Sequence, residues 1–503
     1  MTWTREALRE LIEQRMTGLR LIVVSNRAPY VHQHLDAGIQ CVQPASGMAV
    51  ALDPVLRACG GVWVAQGSGD ADRETSNRFG RLEVPPEAPQ YTLRRIFLPP
   101  DVEAGFYNGL ANGGLWPLCH ITFNRPRFEP ADWDCYRLVN EIFADAVVEE
   151  AGGEPALVFV QDYHFALLPS LLKERNPNLV VGHFWHAPWP NPEIFRVFPW
   201  QRDLIAGLMG NDLLGFHLRR HCVNFLDTVD QTVEALVDHV SMEIRRGDRT
   251  TLVRPFPISI DFEEHAAAAA SHRAALEARC WRDRLGDPAG LIGIGIDRVD
   301  YTKGILERLK AIDSLLELYP EYRGVLTFVQ IGVPSREAVP EYRHLASEIE
   351  ELVERINAQW SLGSRNPIAY FHTQFSQIEL MGLHQLADFC MVSSLHDGMN
   401  LVAKEFVASR NDEDGVLALS QFAGAAAELT DALTFNPYDL DQTRETIRAA
   451  VEMARDERRR RMQKLRETVL GANVYRWAGK ILSTLSRLDF AEEAATASCS
   501  FAH

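Results

Sequence analysis

From about Leu21 to Leu419, short apolar, β-branched runs alternate with longer stretches of helical periodicity, and this alternation limits the possible folds more than any other feature of the chain. Strand, helix, strand in succession builds a parallel sheet covered by helices, because a parallel crossover needs a dozen or more residues. Strand candidates in the first half are Leu21–Val24, Thr92–Leu98, Leu157–Val160, Leu179–Phe184, Asp212–Phe216 and Thr251–Val253. In the second half they are Leu291–Ile296, Val325–Ile331, Ile368–His372, Phe389–Ser393 and Val416–Leu419. Helical patterns lie between them, such as Lys303–Leu318, where Ile305, Leu306, Leu309, Ile312, Leu315 and Leu316 share one face. The expected fold class is α/β, with two doubly wound domains in sequence. A chain of 503 residues suits two to four domains at ~150 residues each. The first is expected to span 1–256, because Arg254-Pro255-Phe256-Pro257 interrupts regular structure and an Ala-rich helix, Glu263 to Leu285, opens next.

Charge narrows the partners. With 51 Lys+Arg against 68 Asp+Glu the net charge is −17, which repels a nucleic-acid backbone, so any bound anion must meet a local basic pocket. The stretch Arg455 to Arg461 is interrupted by Asp456 and Glu457 and reads as a solvated helix face. No apolar run reaches the ~20 residues that span a bilayer, and the first residues lack a leader pattern, so a cytoplasmic protein without membrane partners is expected. Eight scattered cysteines without a C-x-x-C pair suit reduced thiols.

In doubly wound sheets ligands sit beyond the carboxyl ends of strands. After Leu291–Ile296 comes Asp297-Arg298-Val299-Asp300-Tyr301-Thr302-Lys303-Gly304, which is expected to place Arg298 in a strand-to-helix loop and Lys303 beside a helix N-terminus. A planar guanidinium fork and a mobile ammonium together suit a diphosphate; two ordinary surface cations are the plain alternative. After Phe389–Ser393 comes Ser394-Leu395-His396-Asp397-Gly398-Met399-Asn400-Leu401-Val402-Ala403-Lys404-Glu405. Here Asp397 suits sugar hydroxyls, the backbone from Gly398 to Leu401 suits phosphate, and Glu405 suits a ribose, against the alternative of a helix cap with a half-buried Glu. Gly293-x-Gly295 lies within a strand and lacks the third glycine of a dinucleotide fingerprint, and Pro44-Ala45-Ser46-Gly47-Met48 fits either a phosphate turn or a plain one. His183 with His186, His217 with His221, and the pairs Asp70/Asp72, Asp132/Asp134 and Asp439/Asp441 have spacings that metals use, but no zinc-protease pattern accompanies them, and no metal or cofactor is expected. Asp162-Tyr163-His164 and His186 sit at strand ends.

Taken together and in order, eight segments resemble the trehalose-6-phosphate synthases. They are Ser25-Asn26-Arg27-Ala28-Pro29, Tyr107-Asn108-Gly109 with Leu115-Trp116-Pro117, Asp162-Tyr163-His164, the segment from His186 to Phe195, Arg298 to Gly304, Asp397 to Glu405, Ser420 to Gly424, and Asn436-Pro437-Tyr438. The resemblance implies a retaining glycosyltransferase of the GT-B type, with two Rossmann-like domains facing a central cleft. It implies an acceptor domain 1–256, a nucleotide-sugar domain 257–470, a helix 471–490 crossing back to the first domain around Trp477, and a disordered tail 491–503. The implied donor is UDP-glucose and the implied acceptor glucose 6-phosphate. Arg298 and Lys303 match the donor diphosphate clamp, Gly47 a backbone contact there, Glu405 the ribose ligand, and Phe375 and Leu401 positions near the base. Asp397, Gly398, Met399, Asn400 and His186 match the donor-glucose site, with Arg298, Lys303, Asp397 and His186 taken as catalytic. Arg27, Tyr107 and Arg336 match the acceptor-phosphate pocket, and Asp162 and Trp116 the acceptor sugar's surroundings.

Two departures stand out. The family has a second tryptophan shortly after the one equivalent to Trp63, where this chain has Gln66 or Gly67, and its Gly-Gly is Ser46-Gly47 here. Transfer to another phosphorylated acceptor, such as glycerol 3-phosphate, and a non-catalytic sensor or regulatory subunit are the competing expectations; self-association is left open.

Overall fold

The computed structural model describes residues 3–500 apart from 16–17, 37, 44–46 and 287–289, with backbone only at 489–500. The chain forms two compact units, Met1–Ile258 together with Val474–His503, and Ser259–Asn473.

In the first unit β1 (Arg20–Arg27), β2 (Val31–Leu35), β3 (Gly38–Val42), β4 (Val62–Gln66), β5 (Arg81–Val84), β6 (Tyr91–Ile96), β7 (Ala156–Gln161), β8 (Val180–Phe184), β9 (Leu213–Phe216), β10 (Leu236–Asp238), β11 (Glu243–Arg246) and β12 (Arg249–Pro255) follow in chain order. β2 and β3 form a separate hairpin; the others make one sheet in the order β10-β11-β12-β9-β8-β7-β1-β4-β6-β5. Pairing is parallel from β12 through β6 and antiparallel only at the margins, β5 on β6 and β10-β11-β12. The inner strands β4 and β7 are buried at every residue, which is why each is apolar up to a final glutamine rather than alternating, although β4 is not among the strand candidates. The sheet grows in opposite directions from β1 and β7, so the carboxyl ends of these two strands flank a switch point, where a doubly wound sheet opens a crevice.

The second unit holds β13 (Leu291–Arg298), β14 (Leu326–Val333), β15 (Ile368–Phe371), β16 (Phe389–Val392), β17 (Val416–Ser420) and β18 (Leu433–Phe435), all parallel in the order β15-β14-β13-β16-β17-β18. Its switch point lies between β13 and β16. The helix Ile305–Leu318 buries Leu309, Ile312, Leu315 and Leu316 in a core shared with Phe328, Phe389 and Met391. Each such side chain contributes ~1.5–3 kcal/mol relative to exposure. The glycines of Gly293-x-Gly295 serve this core: a Cβ at 293 would strike the Phe389 ring and one at 295 the Arg308 guanidinium.

The helix Val474–Ser500 packs on the first unit, with the Trp477 ring 5.8 Å from Phe159 and 5.2 Å from Phe184, and Leu485 filling the space a Cβ on Gly182 would need. It runs on past Ala491, where fraying is expected, because Ala and Glu are strong helix formers; residues 501–503 lie outside the described residues. The Ala-rich stretch is two helices, Phe262–Ala269 and His272–Arg284, because Ser271 caps the second by accepting from the Ala274 amide. The run Arg455 to Arg461 lies on the helix Arg455–Gly471, where Arg458 pairs with Asp414, and Arg460 and Arg461 pair with Glu457. Among the described residues, no helix is long and apolar enough to cross a membrane.

Candidate functional site

The switch point of the second unit is lined by charge. Arg298 is the last residue of β13, in register with Val333, rather than part of the following loop, because the β13–β14 ladder continues that far. Asp300 then closes a turn, its Oδ1 accepting from the Thr302 amide at 3.0 Å and the Thr302 hydroxyl at 2.9 Å. This turn, Tyr301–Lys303, carries Lys303 to the entrance of the helix Ile305–Leu318. Gly304 makes the turn possible: its φ is 62°, and a Cβ would collide with the Ser393 carbonyl. The Lys303 ammonium lies 2.5 Å from Asp397 Oδ2, on the loop that follows β16. The same oxygen accepts from Ser394 Oγ at 3.2 Å and Asn400 Nδ2 at 3.3 Å.

That loop is tightly held. Asn400 caps the helix Leu401–Ser409, its side chain accepting from the Ala403 amide at 3.1 Å, while its own backbone stands at φ 85°. A non-glycine residue in this region costs ~1–3 kcal/mol and persists only where its surroundings impose it. The Asp397 and Met399 carbonyls accept from the Gly424 and Ala425 amides, and Gly424 lacks the Cβ that would strike the Gly398 carbonyl. Gly398 and Met399 are buried and Leu401 is half-buried. Glu405, a turn further along, is half-buried, and desolvation pushes its carboxyl up to about 7. Phe375 packs with Trp281 at 4.9 Å and Phe371 at 5.8 Å.

The first unit builds its switch point differently. Arg27 ends β1 and donates to Tyr107 Oη at 3.0 Å. Tyr107 lies on a π-helical segment, Ala104–Leu115, a rare geometry that recurs at functional sites. Its close approach to the neighbouring helix requires Gly109, where a Cβ would overlap the Asp132 carboxylate. The Tyr107 ring stacks on His164 at 5.8 Å, His164 on Tyr163 at 4.2 Å, and Trp116 tilts against Tyr163 at 5.6 Å. Asp162, directly after β7, sits at φ 68° and accepts from the His186 amide at 3.1 Å. His186 Nε2 is 3.0 Å from Gln161 Oε1, and the Gln161 amide nitrogen already donates to the Phe159 and Val160 carbonyls. The proton of His186 therefore sits on Nε2. Burial, with His183 close by, pushes His186 down to about 3, so the ring is neutral at ordinary pH. Gly47 opens the helix Gly47–Cys59 and is exposed; Pro44, Ala45 and Ser46 lie outside the described residues.

The metal-like spacings have other uses. His183 meets the Asp162 carbonyl, and His221 the backbone of Trp189. Asp72 is ion-paired with the buried Arg95, Asp439 caps a helix, and Asp441 pairs with Arg444. Among the described residues no group of three or more His, Cys, Asp or Glu is placed to hold a metal ion. Trp63 is fully buried, its indole donating to Ser25 Oγ at 2.8 Å. Of the two residues that stand shortly after Trp63, Gln66 is buried and in register with Arg27, and a Cβ at Gly67 would strike Phe97.

The structure thus gathers Lys303, Asp397 and Asn400 into one hydrogen-bonded group and sets Arg298 and Arg336 on Asp300, while Arg27, Tyr107, Trp116, Asp162 and His186 gather in the first unit. Sequence reasoning missed the support beneath the cations. Arg308, fully buried, binds Asp297 at 2.6 Å, Gln330 at 3.0 Å and Ser393 at 2.9 Å, tying the ends of β13, β14 and β16 together. The signal was a lone arginine on the apolar face of Ile305–Leu318.

Comparison with known proteins gives this architecture a family. The glycosyltransferase family 20 model matches residues 19–487. A trehalose-6-phosphate synthase of Mycolicibacterium paratuberculosis is 38% identical over 473 residues, covering 92% of this chain and 95% of the relative. A solved α,α-trehalose-phosphate synthase (UDP-forming) from Burkholderia xenovorans, in complex with glucose-6-phosphate, superposes with a TM-score of 0.84 at 30% identity, covering 93% of this chain and 99% of that one. A trehalose-6-phosphate synthase solved with bisubstrate glycomimetics, in work on glycosyltransfer with retention, gives 0.82 and 30% over 93% and 99%. The chain belongs to glycosyltransferase family 20 and has the two Rossmann-like domains of the GT-B type.

Proposed function

We propose that this member of glycosyltransferase family 20 moves glucose from UDP-glucose to glucose 6-phosphate with retention, forming α,α-trehalose 6-phosphate. The observation that carries the reading is the charge at the second switch point, where Arg298 ends β13 and Lys303 stands at the mouth of a helix opposite the Asp397 loop. This is where a doubly wound sheet receives a nucleotide, and the two cations match a leaving diphosphate.

In this reading UDP-glucose draws Lys303 from Asp397 to the diphosphate, leaving Asp397 and the Gly398–Leu401 backbone to the glucose and phosphate. Glu405 takes the ribose, and Phe375 and Leu401 flank the base. The bond from the anomeric carbon to the diphosphate oxygen breaks as Arg298 and Lys303 stabilise the growing charge. The acceptor hydroxyl attacks from the same face, and its proton passes to a diphosphate oxygen, so no protein carboxylate becomes glucosylated. His186, neutral and fixed in one tautomer, holds rather than transfers protons. Arg27, Tyr107 and Arg336 take the acceptor phosphate, with Asp162 and Trp116 beside its sugar.

Gln66 favours a second reading. A buried amide at Gln66, or the bare Gly67, stands shortly after Trp63 where the family has an indole, and either suits a smaller or more polar phosphorylated acceptor such as glycerol 3-phosphate. A matrix of UDP-, ADP- and GDP-glucose against glucose 6-phosphate, glycerol 3-phosphate and free glucose, with product identification and the anomeric proton coupling of the product, tests both readings. Transfer to free glucose as good as to its phosphate, or a β product, overturns the proposal; use of glycerol 3-phosphate alone changes only the acceptor.

A further inference from the structure

One carboxylate, fully buried, underlies the cations of the second unit. Asp300 Oδ2 lies 3.0 Å from Arg336 Nη1 and 3.9 Å from Arg298 Nη2, while Oδ1 closes the turn that carries Lys303. Arg336 is itself held in an unusual state: its backbone stands at φ 53°, its side chain is 3% exposed, and its Nη1 also meets Tyr342 Oη at 2.5 Å. A buried carboxylate costs several kcal/mol unless paired, and burial does press this one toward protonation. Arg336, Arg298, Lys303 and the Thr302 amide outweigh that pressure and hold it below the usual carboxylate range, so the charge is present throughout the working pH range. Removing it would take a charge partner from two guanidinium groups at once.

We propose that Asp300 is a positioning residue shared by the two substrates, its carboxylate orienting Arg298 for the departing diphosphate and Arg336 for the acceptor phosphate. The inference rests on the function proposed above. It separates two effects through two arginines: misplacing Arg298 removes stabilisation that grows in the transition state and lowers kcat, whereas misplacing Arg336 weakens ground-state acceptor binding and raises its KM.

The test is a double-mutant cycle with steady-state kinetics. Asp300→Asn keeps the shape and a carbonyl for the Thr302 cap, and is expected to raise the acceptor KM by roughly tenfold or more, as Arg336 loses a charge-assisted hydrogen bond, and to lower kcat by roughly tenfold, as Arg298 loses its ion-pair partner at 3.9 Å. In an Arg336→Ala background the same change should leave the acceptor KM where Arg336→Ala put it and still lower kcat. Thr302→Val, which breaks only a cap bond, should stay within about threefold of wild type in both. Asp300→Asn within twofold of wild type, full additivity with Arg336→Ala, or Thr302→Val reproducing the Asp300→Asn pattern would each overturn the proposal. If Asp300→Asn fails to fold, Asp300→Glu, which keeps the charge one methylene further out, should show the same split. Calorimetric titration with UDP and with glucose 6-phosphate reads the two arginines without turnover, so an inactive wild type would refute the function while Asp300 is still tested: both affinities should fall by roughly tenfold or more in Asp300→Asn.

Discussion

The two units solve the same topological problem with opposite chemistry. Each places its candidate residues at the carboxyl ends of the strands flanking a switch point, β1 and β7 in one, β13 and β16 in the other. In the second unit those ends carry cations paired with carboxylates, Lys303 with Asp397 and Arg298 with Asp300, and Arg336, beyond the end of β14, pairs with Asp300 as well. In the first, Tyr163 and His164 follow β7 and stack in turn on Tyr107 of the π-helical segment, which Arg27 at the end of β1 meets through a hydrogen bond, and the neutral His186 bonds Asp162. On the function proposed above, the difference is what a transfer reaction asks of its two sides: charge that grows during the step needs fixed countercharge, whereas a sugar that arrives and leaves neutral at the reacting atom needs flat surfaces and hydrogen bonds.

The comparison breaks most easily at the cations. Lys303→Ala and Arg298→Ala should each lower kcat by ~100-fold or more with folding intact, because each removes stabilisation realised only as the diphosphate departs. Near-normal turnover in either variant, with an unchanged melting curve, would place the charge requirement elsewhere. Arg27→Ala in the aromatic unit should weaken kcat/KM for the phosphorylated acceptor by roughly ten- to a hundredfold and leave the UDP-glucose KM nearly unchanged. An equal loss on both substrates would erase the division of labour.

A subtler contrast is pH. Glu405 is raised from an ordinary 4.5 to about 7 by desolvation, and in the proposed function the ribose hydroxyls donate better to its ionised form. Donor KM should therefore fall roughly tenfold between pH 6 and pH 8, as the ionised fraction rises, and the dependence should flatten in Glu405→Gln. The same shift has a stability sign: the native state binds this proton more tightly than the unfolded chain, so stability from this group is lost as pH rises from 4.5 through about 7. Glu405→Gln should then melt higher than wild type at pH 8 in the absence of ligand. His186, already neutral, should add no titration in this window. The smallest expected effect is that of chelation: with the diphosphate countercharge supplied by side chains, excess EDTA should change kcat by less than about twofold, and complete loss restored by magnesium would give one of the acidic clusters a role.

Legibility in the sequence followed burial and length. Strands buried on both faces, such as β7 and β13, were plain as apolar runs, and so was the alternation that builds both sheets. β18, Leu433–Phe435, is too short for a period to show, and β11, Glu243–Arg246, lies one strand in from the margin of its sheet with charges that disguise it. The hairpin β2–β3 is mostly exposed and polar, with His32, Gln33 and His34 in its first strand. The π-helical segment around Tyr107 had no signature, because its geometry depends on Gly109 meeting Asp132, a contact between residues far apart in the local pattern. In the site, the residues facing outward from strand ends were readable by type and position, whereas Asp300 and Arg308, which hold those residues from beneath, become visible only when β13, β14 and β16 are side by side.

The position of the last helix has a consequence for synthesis. Trp477 and Leu485 complete the core of the unit that the ribosome begins first, yet they emerge only after the whole second unit has been made. At ~5–20 residues per second, Phe159 and Phe184 wait roughly fifteen to sixty seconds for their partner. The second unit, continuous in the chain, has its whole sequence in hand before the first does. A chain released short of Val474 would hold the whole second unit and a first one lacking Trp477 and Leu485 over Phe159, Phe184 and Gly182, the form in which chaperones and proteases would meet it.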